Sequence, residues 1–132
     1  MDFALLNYLD KNTLHVKISP ILPTTEEFNN YLEKLTSLVK NSEDLYLLVD
    51  TTYASYLPSE LRKLQADWIT DNKELIKKVI IMTVHVIPDA IQRSIFNAIF
   101  LIQKPVVPYK VVPDIKTAIE IMDISKSSKK VA

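Results

Sequence analysis

The chain has 132 residues, the length of one domain, and 48% of them are apolar against 24% charged, so it can bury a core without staples. Sixteen basic and sixteen acidic side chains cancel, which argues against recruitment of nucleic acid or an anionic membrane by net charge. Cysteine and glycine are both absent, which excludes disulfides, thiolate zinc sites and cysteine nucleophiles, and with them Walker A loops, dinucleotide fingerprints and the Gly-x-Ser-x-Gly elbow.

Phe3 to Leu9 and Thr13 to Ile18 read as two short strands joined by the turn-forming triplet Asp10-Lys11-Asn12. In the second strand Leu14, Val16 and Ile18 alternate with Thr13, His15 and Lys17, which predicts one wet face and a solvated His15. Thr24-x-x-Glu27 is a capping box, and Phe28, Tyr31, Leu32, Leu35, Leu38 and Val39 follow at helical spacing, so a helix is expected over about 25–41. Leu45 to Val49 suits a central strand buried on both faces. A helix from Pro58 to Asp71-Asn72 carries Leu61, Leu64 and Trp68 inward, and Val79 to Val86 is a second central strand. Leu47, Val49, Ile80, Met82 and Trp68 are the expected core. Pro88-Asp89 starts a helix that Pro105 stops, and Val106 to Val112 is a last strand whose Pro108 points to an edge or a bulge. Pro113-Asp114 opens a terminal helix with Ile115, Ala118, Ile119 and Met122 inward. The order ββαβαβαβα predicts a single α/β domain over residues 1–124 with a mixed, mostly parallel sheet. Residues 125–132, with Lys126, Lys129 and Lys130, are expected to form a flexible basic tail.

Met1-Asp2-Phe3 lacks the basic start of a secretory signal, and the apolar runs Val79–Met82 and Ile99–Ile102 fall far short of the roughly 20 residues of a spanning helix. A cytoplasmic protein without an integral membrane segment is the expectation.

Leu47-Leu48-Val49-Asp50 ends the third strand, Arg62 lies in the next helix, Arg93 follows the fourth strand, and Val111-Val112-Pro113-Asp114 precedes Ala118. With this order of elements the chain resembles the STAS fold of the SpoIIAA-like proteins, the anti-sigma-factor antagonists. It is most similar to their small bacterial relatives grouped with the CRAL-TRIO lipid-binding domains. The resemblance covers Phe3 to about Met122 and implies a non-enzymatic regulatory or ligand-binding module. One departure is plain: the antagonists' Asp-Ser-Ser/Thr-Gly-Leu turn is replaced by residues 50–59, beginning Asp50-Thr51-Thr52-Tyr53 and including Ser55, Tyr56 and Ser59, without glycine. Their phosphoserine switch therefore has no matching residue here.

In a parallel sheet the carboxyl ends of strands and the following helix starts form the usual ligand edge. Asp50, Thr51, Ser55, Arg62, His85, Asp89 and Arg93 are the candidates for binding a ligand or partner there. Each has a plainer reading beside it. Asp50 with Thr51 and Thr52 either orients a ligand or caps a turn. His85, beside a helix start that favours its neutral form, either accepts a ligand proton or pairs with Asp89, or is simply a hydrogen-bonded histidine at a strand end. Arg62 and Arg93, the only arginines, suit bidentate anion contacts, and Arg93 equally suits an ion pair with Asp89. Ile95, Phe96, Ile99 and Phe100 give their helix more apolar surface than one sheet contact needs, so a second helix packs over it, or it lines a hydrophobic pocket or a homodimer interface, of which the dimer is the favoured expectation. No histidine or carboxylate set has metal-ligand spacing, so neither metal nor cofactor is expected. A receiver-type phosphoacceptor at Asp50 is the alternative function, short of the second acidic pair that would hold magnesium. A hydrolase using Ser55 or Ser59 with His85 has no oxyanion hole to work with.

Overall fold

The alternation of Leu14, Val16 and Ile18 becomes the second strand of a five-stranded mixed sheet. The computed structural model describes residues 2–55 and 57–131, and side chains as far as Ser128, so Tyr56, Ala132 and the Lys129 and Lys130 side chains lie outside it. Its elements are β1 (Ala4–Asp10), β2 (Thr13–Ile18), α1 (Thr25–Lys40), β3 (Leu45–Asp50), α2 (Ser59–Asp71), α3 (Lys73–Val79), β4 (Ile80–Val86), α4 (Ala90–Ile102), β5 (Tyr109–Val112) and α5 (Ile115–Val131). The strands lie in the sheet in chain order, with β1 antiparallel to β2 and every later pair parallel. The fold is α/β, as expected. Among the described residues no helix is long and apolar enough to cross a membrane.

Local chemistry sets the boundaries. The Glu27 N–H donates to Thr24 Oγ1 at 3.1 Å and the Thr24 N–H donates to Glu27 Oε1 at 2.9 Å, closing the capping box of α1. Those hydrogen bonds hold the Glu27 carboxyl below its ordinary pKa. Asp89 and Asp114 accept the Gln92 and Thr117 N–H groups and start α4 and α5. Asn72 both ends α2, through N–H and Nδ2 bonds to the Trp68 carbonyl, and starts α3 by accepting the Ile76 N–H. Asp44, before β3, is the one described residue with positive φ, at 49°.

Register decides which side chains share a face. Leu14, Leu47 and Thr83 form one row and Val16, Val49 and His85 the next. These rows meet Leu35 and Val39 of α1 and Ile76 and Val79 of α3. The alternate rows hold His15, Leu48 and Val84, then Lys17, Asp50 and Val86. On that side Ala118 and Met122 of α5 cover Tyr46, Leu48, Val84, Val86 and Val112. Crossovers of one hand between strands in chain order leave the connecting helices on one face, so α5, which connects nothing, is left to cover the other.

Four expectations change. Residues 73–79 form α3, a helix absent from the sequence reading, so β4 starts at Ile80. β5 is only Tyr109–Val112; Pro108 stands just before this edge strand, and its carbonyl accepts the Thr83 N–H at 3.0 Å. The stretch beginning at Ser125 continues α5 instead of fraying. Lys126 Nζ donates to Asp10 Oδ2 at 2.9 Å and to Thr13 Oγ1 at 2.5 Å, and the Tyr46 and Ser125 hydroxyls meet at 2.9 Å. Of the expected core, Leu47 and Ile80 are buried, whereas Val49, Met82 and Trp68 are only partly so.

Candidate functional site

Val49 and Trp68 remain partly accessible because they border a cavity of about 400 Å³ between the sheet and helices α1 to α4. Its floor is the face carrying Leu47, Val49, Thr83, His85 and Tyr109, and its far wall is Phe96 and Phe100 of α4. The wall is overwhelmingly apolar, and none of its residues is Lys, Arg, Asp or Glu. Its few polar side chains fall into two groups. Trp68 Nε1 is committed to Thr36 Oγ1 at 2.7 Å, and Thr51 Oγ1 donates to the Val86 carbonyl at 2.6 Å. His85 has no hydrogen-bond partner among the described residues; its ring lies 4.8 Å from Phe96 and 5.9 Å from Phe100, centroid to centroid. Burial lowers its pKa to about 4, so the imidazole is neutral at pH 7. The cause is desolvation, where the sequence pointed to a helix dipole. Burial likewise pushes up the pKa of Tyr31, a further wall residue, and keeps its phenol un-ionised.

Helix α4 covers this cavity without a single buried residue. Phe96 and Phe100 meet edge to face at 4.5 Å, and Phe100 meets Tyr109 in the same way at 4.5 Å. At 3.6 residues per turn, Ile91 falls opposite the two phenylalanines, and Ile95 and Ile99 lie along the flank of the helix between. All three are exposed, as are Leu101 and Ile102 at the end of the helix. The four residues expected to form one apolar site thus divide, with Phe96 and Phe100 turned inward and Ile95 and Ile99 outward.

The polar candidates do not assemble at the sheet's carboxyl edge. Strands in chain order have no reversal point, and so no crevice of the kind found in doubly wound sheets. Thr51 and His85 border the cavity. Ser55 Oγ donates to the Pro20 carbonyl at 2.5 Å and ties two loops together. Arg62 is exposed on α2 and is not among the cavity residues. Asp89 is the N-cap of α4, engaged by Gln92 rather than by His85. Arg93 Nη1 donates to the Ile87 and Pro88 carbonyls at 2.8 and 2.7 Å, fastening α4 to the end of β4 in place of the expected ion pair.

Asp50 is buried, and its Oδ1 accepts the Thr52 N–H at 3.0 Å and the Thr52 hydroxyl at 2.5 Å. Its Oδ2 lies 3.5 Å from His15 Nε2, which is buried without a hydrogen bond. His15 is therefore half-buried beside a carboxylate, not solvated. Alternation along β2 could not reveal this, because the approach depends on how β2 and β3 are paired. Among the described residues no three His, Asp or Glu side chains are grouped to hold a metal. Comparison with protein-family models and with curated proteins gives no match to this chain.

Proposed function

We propose that this protein is a non-enzymatic binding module whose ligand is a small hydrophobic molecule held between the sheet and helices α1 to α4. The cavity carries the reading: about 400 Å³, apolar and roofed by a helix that buries none of its residues completely. That volume lies within the roughly 300–1,000 Å³ of small-molecule sites. The order of elements supports a likeness to the STAS and CRAL-TRIO-allied proteins, and a cytoplasmic regulatory role goes with it. A phosphoacceptor role for Asp50 is less favoured, since this carboxylate is buried and held by Thr52.

Native mass spectrometry of freshly purified protein, with titration of the uncharged apolar fluorophore N-phenyl-1-naphthylamine, tests the reading. One retained lipid or one fluorophore per chain is expected, and Val49→Phe should weaken binding while leaving the protein folded. A folded wild type that retains no lipid and binds no fluorophore refutes it.

A second reading rests on the outer stripe of α4. Ile91, Ile95, Ala98 and Ile102 repeat at four-three-four spacing, the seam along which two helices pack, and all four are exposed. Self-association through this stripe predicts a dimer at micromolar concentration that Ile95→Asp converts to a folded monomer. A wild type that sediments as a monomer rules it out.

A further inference from the structure

We infer that the ligand carries an uncharged hydroxyl head, which sits at His85, and an otherwise apolar body. This rests on the cavity reading above and names the class of molecule that fills the cavity.

Three observations converge. First, His85 is the one imidazole in the wall, pressed against Phe96 and Phe100, and no described residue hydrogen-bonds to it. A polar group in apolar surroundings is costly unless paired, so the molecule that fills the cavity is the natural partner. Second, two of the other polar groups are occupied, Trp68 donating to Thr36 and Thr51 to the Val86 carbonyl, and Gln65 belongs to α2, across the cavity from the sheet face that carries His85. Thr83, two residues before His85 on β4, and Tyr109, its register partner on β5, stand on the same floor and add hydroxyls there. Third, the wall contains no Lys, Arg, Asp or Glu, so an ionised head would be buried without a fixed counter-charge.

The form of the imidazole narrows the head further. Neutral histidine has one N–H donor and one bare acceptor nitrogen, and burial holds His85 neutral at pH 7. A hydroxyl both donates and accepts, so it matches either nitrogen and still has capacity for Thr83 or Tyr109. A carboxylate only accepts and brings a charge. An alkane satisfies neither nitrogen.

The experiment compares 1-decanol with decanoate at pH 7.5 on the full chain by calorimetric titration, with the uncharged fluorophore N-phenyl-1-naphthylamine, which carries neither hydroxyl nor carboxylate, as the reference probe. Decanol is expected to bind at least tenfold more tightly than decanoate. His85→Leu should weaken decanol about tenfold relative to the fluorophore, while His85→Gln, which keeps a donor and an acceptor, should restore most of the loss. Decanoate binding as tightly as decanol overturns the inference, and so does undiminished decanol affinity in His85→Leu; fluorophore binding in those cases leaves the cavity reading intact. Failure of the wild type to bind either decanol or fluorophore overturns both. If His85→Leu does not fold, the wild-type ratio of decanol to decanoate decides alone.

Discussion

The two faces of one sheet are built in opposite ways. On the face covered by α5, Leu48, Val84, Val86 and Ala118 have no accessible surface and Met122 has 2%. On the other face α1 and α3 pack closely, but beneath α4 the floor opens into the cavity and the roofing helix buries nothing completely. A sheet that must stay rigid while one side adapts to a guest gains from this division. Density on the α5 face holds the strands in register, and the open face is where the proposed ligand would be admitted without disturbing them.

Mutation should expose the asymmetry most strongly at Leu48. Its truncation to alanine leaves a void under a well-packed helix and is expected to cost about 3–5 kcal/mol, measured by urea unfolding. A cost below about 1 kcal/mol would mean that the α5 face is no denser than its opposite.

Acid should act through the other face. Folding lowers the pKa of His85 from 6.5 to about 4, so between these values the unfolded chain binds more protons than the folded one. Stability from neutral His85 is therefore complete above pH 6.5 and is lost as pH falls toward 4, by on the order of 3 kcal/mol in total. The unfolding midpoint of His85→Leu should fall less steeply over that window than that of the wild type. Parallel curves for the two proteins would place His85 in contact with bulk water.

The smallest effect is expected at Phe100. In a close-packed core Phe→Ala costs about 3–5 kcal/mol, but Phe100 already borders open volume, so about 1–2 kcal/mol is expected from the same urea measurement. A loss as large as that of Leu48→Ala would erase the distinction between the faces.

How much of this was legible in the sequence follows the range of the forces involved. The capping box at Thr24 and Glu27, the alternation in β2 and the edge character signalled by Pro108 depend on near neighbours, and each reads directly from the chain. Helix α3 does not: Lys73–Val79 is seven residues long, follows a break at Asn72, and ends in a valine that reads equally well as strand. Phe96 and Phe100 stood out as surplus apolar surface, but their separation from Ile95 and Ile99 depends on where the sheet lies beneath α4. The His15–Asp50 approach required the pairing of β2 with β3, and the cavity required four helices placed at once. Arg93 serves the Ile87 and Pro88 carbonyls rather than Asp89, whose carboxylate caps Gln92.

Strand order that repeats chain order also bears on how the molecule comes together. Each strand pairs with the one that precedes it, so the sheet can extend step by step as segments become available, each parallel step closing one helical crossover. Its second face has no such schedule. Leu48, Val84 and Val86 stay bare until α5 arrives, and Lys126 then reaches Asp10 across 116 positions of sequence. A chain cut short before α5 would therefore present these apolar side chains to its neighbours, a surface prone to association.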